Sequence, residues 1–262
     1  MTGLVEGKSI IVTGGGRGIG EGIARDLAAE GGHVAVADID LAAAERVAAA
    51  IRQDGGEAVA LQVNVVDRSS VKDMIQAAVR AHGRLDVMFN NAGISQTVNF
   101  MDVTEKDWHR IMDVNGLGVL IGIQEAARQM QAQGTGGKII NTASIAGKQG
   151  YPLFAHYCAS KFAVVALTQA AARALAPDKI TVNCFAPGVV RTELWEQLDR
   201  EFMSLGLTQK PEQAINEFSQ SILLGRYSKP EDITGVTTFL ASTASDYVTG
   251  QTYMVDGGMV LI

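Results

Sequence analysis

The chain has 262 residues, 47% hydrophobic and 19% charged, a balance that provides for a substantial buried core and excludes disorder. Its formal charge of −6 gives no electrostatic basis for binding nucleic acid or an anionic membrane. No apolar run reaches about 18 residues, Met1 to Gly7 carry no basic-then-apolar leader, and Cys158 and Cys184 have neither metal-ligand spacing nor a disulfide framework, so a reduced, cytoplasmic protein without a bound metal is expected.

Ser9 to Thr13 is a short β-branched run followed at once by Gly14-Gly15-Gly16-Arg17-Gly18-Ile19-Gly20, after which Ile23, Leu27 and Ala28 fall at helical spacing. Strand, glycine turn and helix in that order suit a pyrophosphate, because glycines permit close backbone approach and the helix start offers free N–H groups. The second strand, Val34 to Ala37, ends in Asp38, about twenty residues beyond the loop. A carboxylate there accepts from an adenosine ribose and repels a 2′-phosphate, which selects NAD over NADP. Arg17 pulls the other way, since a guanidinium pairs with phosphate. Ile39 and Asp40, neither of them basic, follow Asp38, so NAD is the expected cofactor.

Helix and strand then alternate: helix over 41–54, strand over 58–63, helix over 69–82, strand over 85–89. That alternation predicts a parallel sheet with right-handed crossovers and ligands at the carboxyl ends of its strands. Asn64-Val65 and Asn90-Asn91-Ala92-Gly93 both fall at that edge. Thr104 and Asp107 form a capping pair for a long helix towards Gln133, within which Asn115-Gly116-Leu117-Gly118 predicts an irregularity. A strand from Lys138 ends at Ser144, and the next helix, closed by Pro177, carries Tyr157 and Lys161.

Residues i and i+4 share a helix face. A cation about 4 Å from the phenol, at an effective dielectric of roughly 20, favours phenolate by about 4 kcal/mol, or roughly 3 pKa units. That would bring Tyr157 from about 10 to near 7, poised to exchange a proton with an alcohol or ketone, with the Ser144 hydroxyl beside it. Ile180 to Asn183 is another strand leading to Pro187-Gly188. The bulky, irregular stretch at about 189–224 reads as a lid or substrate wall, or else a helical hairpin capping the core. A helix opening at Pro230-Glu231-Asp232 and a strand over 252–255 complete about seven strands in a single domain, 1–262. His33, His82 and His109 fall at helix ends or polar faces with no evident partner, and His156 points about 100° away from Tyr157; none is assigned a role.

Taken together, Thr13-Gly14-x-x-x-Gly18-x-Gly20, Asp38, Asn90 to Gly93, Asn115, Ser144, Tyr157-x-x-x-Lys161 and Pro187-Gly188 with Thr192 resemble the short-chain dehydrogenase/reductase family, nearly end to end. The resemblance implies a Rossmann-type α/β fold, a doubly wound parallel sheet with helices on both faces. By the same resemblance, Gly14, Gly18 and Gly20 would cradle the pyrophosphate with Ile19 behind it, Asp38 would bind the ribose, and Asn91 would brace the cofactor site. Asn64, where the family usually has Asp beside adenine, would still accept through its amide oxygen. Arg17, Val65, Ala92, Gly93, Pro187, Gly188, Val190 and Thr192 complete the cofactor set.

Tyr157 would be the general acid/base, Lys161 would hold the nicotinamide ribose and depress the tyrosine, Ser144 would hold the substrate oxygen, and Asn115 would position water in a proton relay. Segments such as Gly137 to Asn141 and Lys161 to Val164 look most like bacterial polyol and 2,3-butanediol (acetoin) dehydrogenases. Ser95, Gln96, Ile145, Gln149, Tyr151, Trp195 and Leu198 are the pocket candidates, with Ser144, Gln96, Gln149, Tyr151 and Trp195 expected to touch substrate. The implied activity is NAD-linked oxidation of a small secondary alcohol, diol or polyol, or reduction of the matching ketone. Alternatives on the same scaffold are an NADPH-dependent 3-oxoacyl carrier-protein or general ketone reductase and a non-catalytic dinucleotide-binding protein. Homotetramers are usual in the family, with the exposed faces of the two long helices as contact surfaces.

Overall fold

A computed structural model describes residues 3–261; Met1 and Thr2, part of the stretch read above for a leader, lie outside them, as does Ile262. Seven strands, β1 (Ser9–Thr13), β2 (His33–Asp38), β3 (Glu57–Gln62), β4 (Val87–Asn90), β5 (Gly137–Thr142), β6 (Ile180–Pro187) and β7 (Thr252–Val255), form one sheet in the order β3-β2-β1-β4-β5-β6-β7. Every adjacent pair is parallel. The order reverses direction between β1 and β4, which opens a crevice at their carboxyl ends.

Both faces are covered. All five residues of β1 are buried, and their alternation divides the core. Ile10 and Val12 pack with α1 (Gly18–Ala29) and α2 (Leu41–Gln53), while Ile11 joins the opposite layer of α3 (Arg68–His82), α5 (Gly118–Gln133) and α6 (Ala155–Leu175).

Boundaries differ from the sequence reading where tertiary pairing decides them. β6 runs four residues beyond Asn183 because Cys184 to Pro187 pair with β7. β5 stops at Thr142, and Ser144 instead caps a short 3₁₀ turn by accepting from the Ala146 N–H at 3.2 Å. The expected long helix from Thr104 to Gln133 is three pieces: α4 (Glu105–Met112), a π-helical stretch over Asp113–Leu117, and α5. A side chain at Gly118 would press against Val65, and Asn115 is wholly buried there, so the widened turn serves packing as well as propensity. The Thr104/Asp107 capping box is complete.

Two histidines have partners that the sequence reading did not foresee. Parallel pairing sets His33 opposite Glu57, with Nε2 3.3 Å from the carboxylate. His82 lies edge-on to His33 and places Nδ1 3.3 Å from the Ser9 hydroxyl. The 189–224 stretch contains α7 (Glu193–Ser204) and α8 (Gln213–Ser219), and α9 (Glu231–Ala241) follows. Asp199 on α7 ties that helix to the start of α8 by accepting from the N–H groups of Glu212, at 2.6 Å, and Ala214, at 3.2 Å. This carboxylate holds Glu212 in the left-handed region, φ 63°.

Candidate active site

A cleft of about 340 Å³ runs along the carboxyl edge of the sheet, from Asp38 at the end of β2 to Ser144, Tyr157 and Trp195 beyond β5. Its floor at the first crossover is the glycine turn. Gly14 has φ +63°, and a Cβ on Gly20 would stand 2.0 Å from the Gly14 carbonyl, so the turn closes only without side chains. Arg17 caps α1 with no side-chain bond, leaving the first-turn N–H groups of Gly18, Ile19 and Gly20 to the cleft these residues line. A bare backbone cradle at a helix start with a carboxylate beyond it fits the phosphates and ribose of a dinucleotide.

Asp38 is fixed rather than mobile. Its Oδ2 accepts from the Gly16 N–H at 3.0 Å and its Oδ1 from the Asp40 N–H at 3.1 Å. Arg17, mostly exposed, lies 3.7 Å from the Glu193 carboxylate at the start of α7. Arg46, which the sequence reading passed over, also reaches the turn, donating to the Gly16 carbonyl at 2.6 Å while paired with Glu21. Both basic groups therefore carry carboxylate partners.

Asn91 clips the turn to the neighbouring strands. Its amide donates to the Thr13 and Gly14 carbonyls at 3.0 and 3.3 Å and accepts from the Thr142 hydroxyl at 3.1 Å. Behind it, Asn90, Asn141 and Thr168 form a buried chain, each link 2.9 Å. Asn64 uses its amide oxygen on the Val66 N–H at 3.3 Å. Asn115 does not reach the cleft surface: it donates to the Ile94 carbonyl and accepts from the Ile94 N–H, both at 2.9 Å, and donates to the Ser160 hydroxyl at 3.0 Å. Its side chain braces the loop after β4.

Tyr157 and Lys161 share a face of α6 as the spacing predicts, but the electrostatic expectation fails. Lys161 Nζ lies 5.7 Å from the tyrosine ring centre and donates to the Thr142 carbonyl at 2.7 Å. Burial pushes the Tyr157 phenol up to about 12, with its hydrogen bond to Ser144 pulling only partly downward. Burial likewise lowers Lys161 to about 8. Desolvation is the largest cause of both shifts: the phenol ring lies edge-on to Phe154, in the cluster that Leu194 and Trp195 of α7 also pack against.

Every residue placed by sequence in the cofactor set lines the cleft. The substrate candidates divide. Ser144 and Trp195 line it, Gln149 is exposed outside it, Tyr151 packs on Phe218, and Gln96 donates to Asp107 at 2.9 Å. Ser95, Ile145 and Leu198 are buried behind the wall. Cys158 packs in the aromatic cluster of Phe154, Phe202 and Phe218. Residues the sequence reading missed on the wall include Ile94, Thr142, Leu194 and Gln197. Thr142, two residues before Ser144 in the same extended stretch, was recoverable from period-two alternation; Leu194 and Gln197 depend on how α7 docks.

Elsewhere an open groove of about 670 Å³ surrounds Arg226 and Asp232, but those two already form a bidentate pair and no other reactive set converges there. Among the described residues no cluster of metal-ligating side chains is found, and no helix is long and apolar enough to cross a membrane.

The family described as Enoyl-(Acyl carrier protein) reductase matches residues 14–260. L-2,3-butanediol dehydrogenase of Corynebacterium glutamicum is 46% identical over 97% of this chain and 98% of its own. Diacetyl reductase [(S)-acetoin forming] of Staphylococcus epidermidis is 40% identical over 97% and 98%, and galactitol 2-dehydrogenase of Agrobacterium fabrum 42% over 96% of each. A crystal structure of a short-chain type dehydrogenase/reductase from Mycobacterium marinum superposes with a TM-score of 0.89 at 38% identity, covering 98% of this chain and 97% of that one.

Proposed function

The chain belongs to the short-chain dehydrogenase/reductase family, and from that premise we propose that it is an NAD-dependent oxidoreductase acting on a small secondary alcohol, diol or polyol, or on the matching ketone. The observation that carries this reading is the single cleft joining the Asp38 carboxylate to the Ser144, Tyr157 and Lys161 side chains. When bound, the nicotinamide supplies the acceptor or donor for hydride. The chain's own residues do the rest.

The glycine turn and the N–H groups of α1 take the diphosphate, and Asp38, held by Gly16, takes the ribose hydroxyls and repels a 2′-phosphate. Ser144 donates to the substrate oxygen. Tyr157, protonated through the neutral range, gives its proton to that oxygen in the reducing direction and must lose it in the oxidising one. Lys161, anchored on Thr142, presents its ammonium beside the phenol. Any water held by Asn115 for a relay must bind its backbone, because the side chain is committed to Ile94 and Ser160.

The apolar wall of Leu194 and Trp195 favours a compact substrate, which agrees with the butanediol and acetoin names among the relatives. The carrier-protein description of the matching family keeps an acyl thioester reductase as the second reading. The deciding experiment is initial-rate reduction of NAD⁺ and NADP⁺ across 2,3-butanediol stereoisomers, galactitol, sorbitol and simple secondary alcohols, with NADH and NADPH oxidation by ketones and acyl thioesters in parallel. NAD-linked oxidation of a diol or polyol is the expected result. Activity confined to NADPH and acyl thioesters would replace the first reading with the second. A cytoplasmic homotetramer completes the proposal, testable by sedimentation.

A further inference from the structure

Apart from Thr208 Oγ1, the buried side-chain N and O atoms without partners among the described residues lie on two elements that share Asp107 and Glu201 as neighbours. They are Ser95 Oγ, Gln96 Oε1 and Thr97 Oγ1 on the loop after β4, and both ring nitrogens of His156 on α6. His156 is wholly buried, Ser95 and Thr97 nearly so. The surrounding elements bring them together. Gln96 donates to Asp107 on α4, the Thr97 N–H donates to Glu201 on α7 at 2.7 Å, and Asp107 and Glu201, with Arg110, are the charged groups beside His156.

Neither carboxylate serves the imidazole. Asp107 is taken by Thr104 and Gln96, and Glu201 by Thr97 and Gln197. Burial lowers the His156 pKa, so the ring stays neutral and needs an acceptor at one nitrogen and a donor at the other. Five unpaired buried atoms would together cost as much as the whole net stability of a domain. Gln96 Oε1 could accept from a ring N–H and the Ser95 or Thr97 hydroxyl could donate to the other nitrogen, but none of them makes such a bond.

We propose that these side chains form a built site for internal water, with one molecule at each ring nitrogen of His156, and that His156 acts through that water as a positioning residue for the loop Ile94 to Thr97. Water donates twice and accepts twice, so it satisfies both the accepting amide oxygen and the imidazole. Two molecules are required because both ring nitrogens lack a partner and the two nitrogens of an imidazole point outward in diverging directions, one needing a donor and the other an acceptor. The site matters to the cleft because Ile94 lines it and is fixed from its other side by Asn115. Water at His156 fixes the same loop from α6, the helix that carries Tyr157.

The test is a crystal structure of the wild-type protein at a resolution that shows ordered solvent, paired with His156→Phe and His156→Gln. Solvent peaks about 2.6 to 3.2 Å from each ring nitrogen, bridging to the 95–97 loop, are expected. His156→Phe should raise the substrate KM about three- to tenfold with kcat within about twofold, and His156→Gln should restore most of the loss. Ring nitrogens bonded directly to protein, or no solvent peak, would overturn the site. Unchanged KM in His156→Phe, or equal damage in both variants, would overturn the positioning role. If His156→Phe does not fold, the wild-type density and ¹⁵N shifts of the ring decide. The KM readout rests on the proposed dehydrogenase activity and the density does not, so ordered water in a protein inert towards every alcohol would refute that activity and uphold the site.

Discussion

Replacing Asp38 with asparagine isolates the charge on which the proposed preference for NAD depends. The carboxylate is 8% exposed and held by two N–H groups, so it cannot swing away from a phosphate placed at the neighbouring ribose. At about 4 Å and an effective dielectric of roughly 20, each unit of like charge costs about 4 kcal/mol, some thousandfold in affinity. Solvent over the phosphate and counterions reduce this to about 2 kcal/mol, or roughly thirtyfold.

Asparagine keeps an acceptor for the Gly16 N–H but loses one of the two oxygens, so both dinucleotides should bind somewhat less well, by about 1 kcal/mol. The informative quantity is therefore the ratio of NADP⁺ to NAD⁺ affinity, measured by calorimetry and again as kcat/KM. We expect it to rise about thirtyfold in Asp38→Asn, and by less than about threefold in Glu193→Gln, where only an exposed partner of Arg17 is removed. A ratio unchanged in Asp38→Asn, or a wild-type protein that already prefers NADP⁺, would refute the reasoning.

Tyr157→Phe should lower turnover by at least about a thousandfold while NADH binding, followed by fluorescence, stays within about threefold; near-normal turnover would remove Tyr157 from the proposed mechanism. Because burial holds the phenol near 12 and the ammonium near 8, kcat/KM for alcohol oxidation should climb with pH from neutrality as phenolate becomes accessible. The reverse reaction should be level below about pH 8 and decline above it as Lys161 loses its proton, and coincident optima in the two directions would contradict both assignments. Asp199→Ala leaves two lid N–H groups unpaired and releases Glu212 from its left-handed conformation, a loss of about 2 kcal/mol. Thermal unfolding should shift down by roughly 4 to 8 °C, with new proteolytic cuts between α7 and α8, and an unshifted Tm would show that the carboxylate does not hold the lid.

The parallel sheet was legible because alternation of strands and helices is a local property, and the glycine turn, Asp38 and the Tyr157–Lys161 spacing are written within a few residues. Their convergence on one cleft follows from strand order alone. What the sequence did not disclose depends on contacts between distant segments. The Tyr157 phenol is raised rather than lowered because α7 and α8 dry its surroundings, and no spacing within α6 records that. Gln149 faces solvent, and Gln96 turns to Asp107 on α4, a contact between distant segments that no local spacing records. The helix interruption at Asn115 was foreseeable from its two glycines, but its π geometry answers to Val65, which lies fifty residues upstream.

The buried chain from Asn90 through Asn141 to Thr168 carries a consequence for how this protein can vary. A slip of β5 by one residue against β4 would strand amides in an apolar interior, so alignment of the strands bearing Asn91 and Thr142 is discrete, not graded. Apolar side chains on either face can therefore be exchanged for others of similar volume, with effects on melting but little on the spacing across the cleft. Cleft-lining residues on α7, outside the sheet, are free to change on their own account. Tolerance is thus partitioned: the frame proposed to meet the dinucleotide is locked by polar pairing, while the surface proposed to meet the substrate is open to drift.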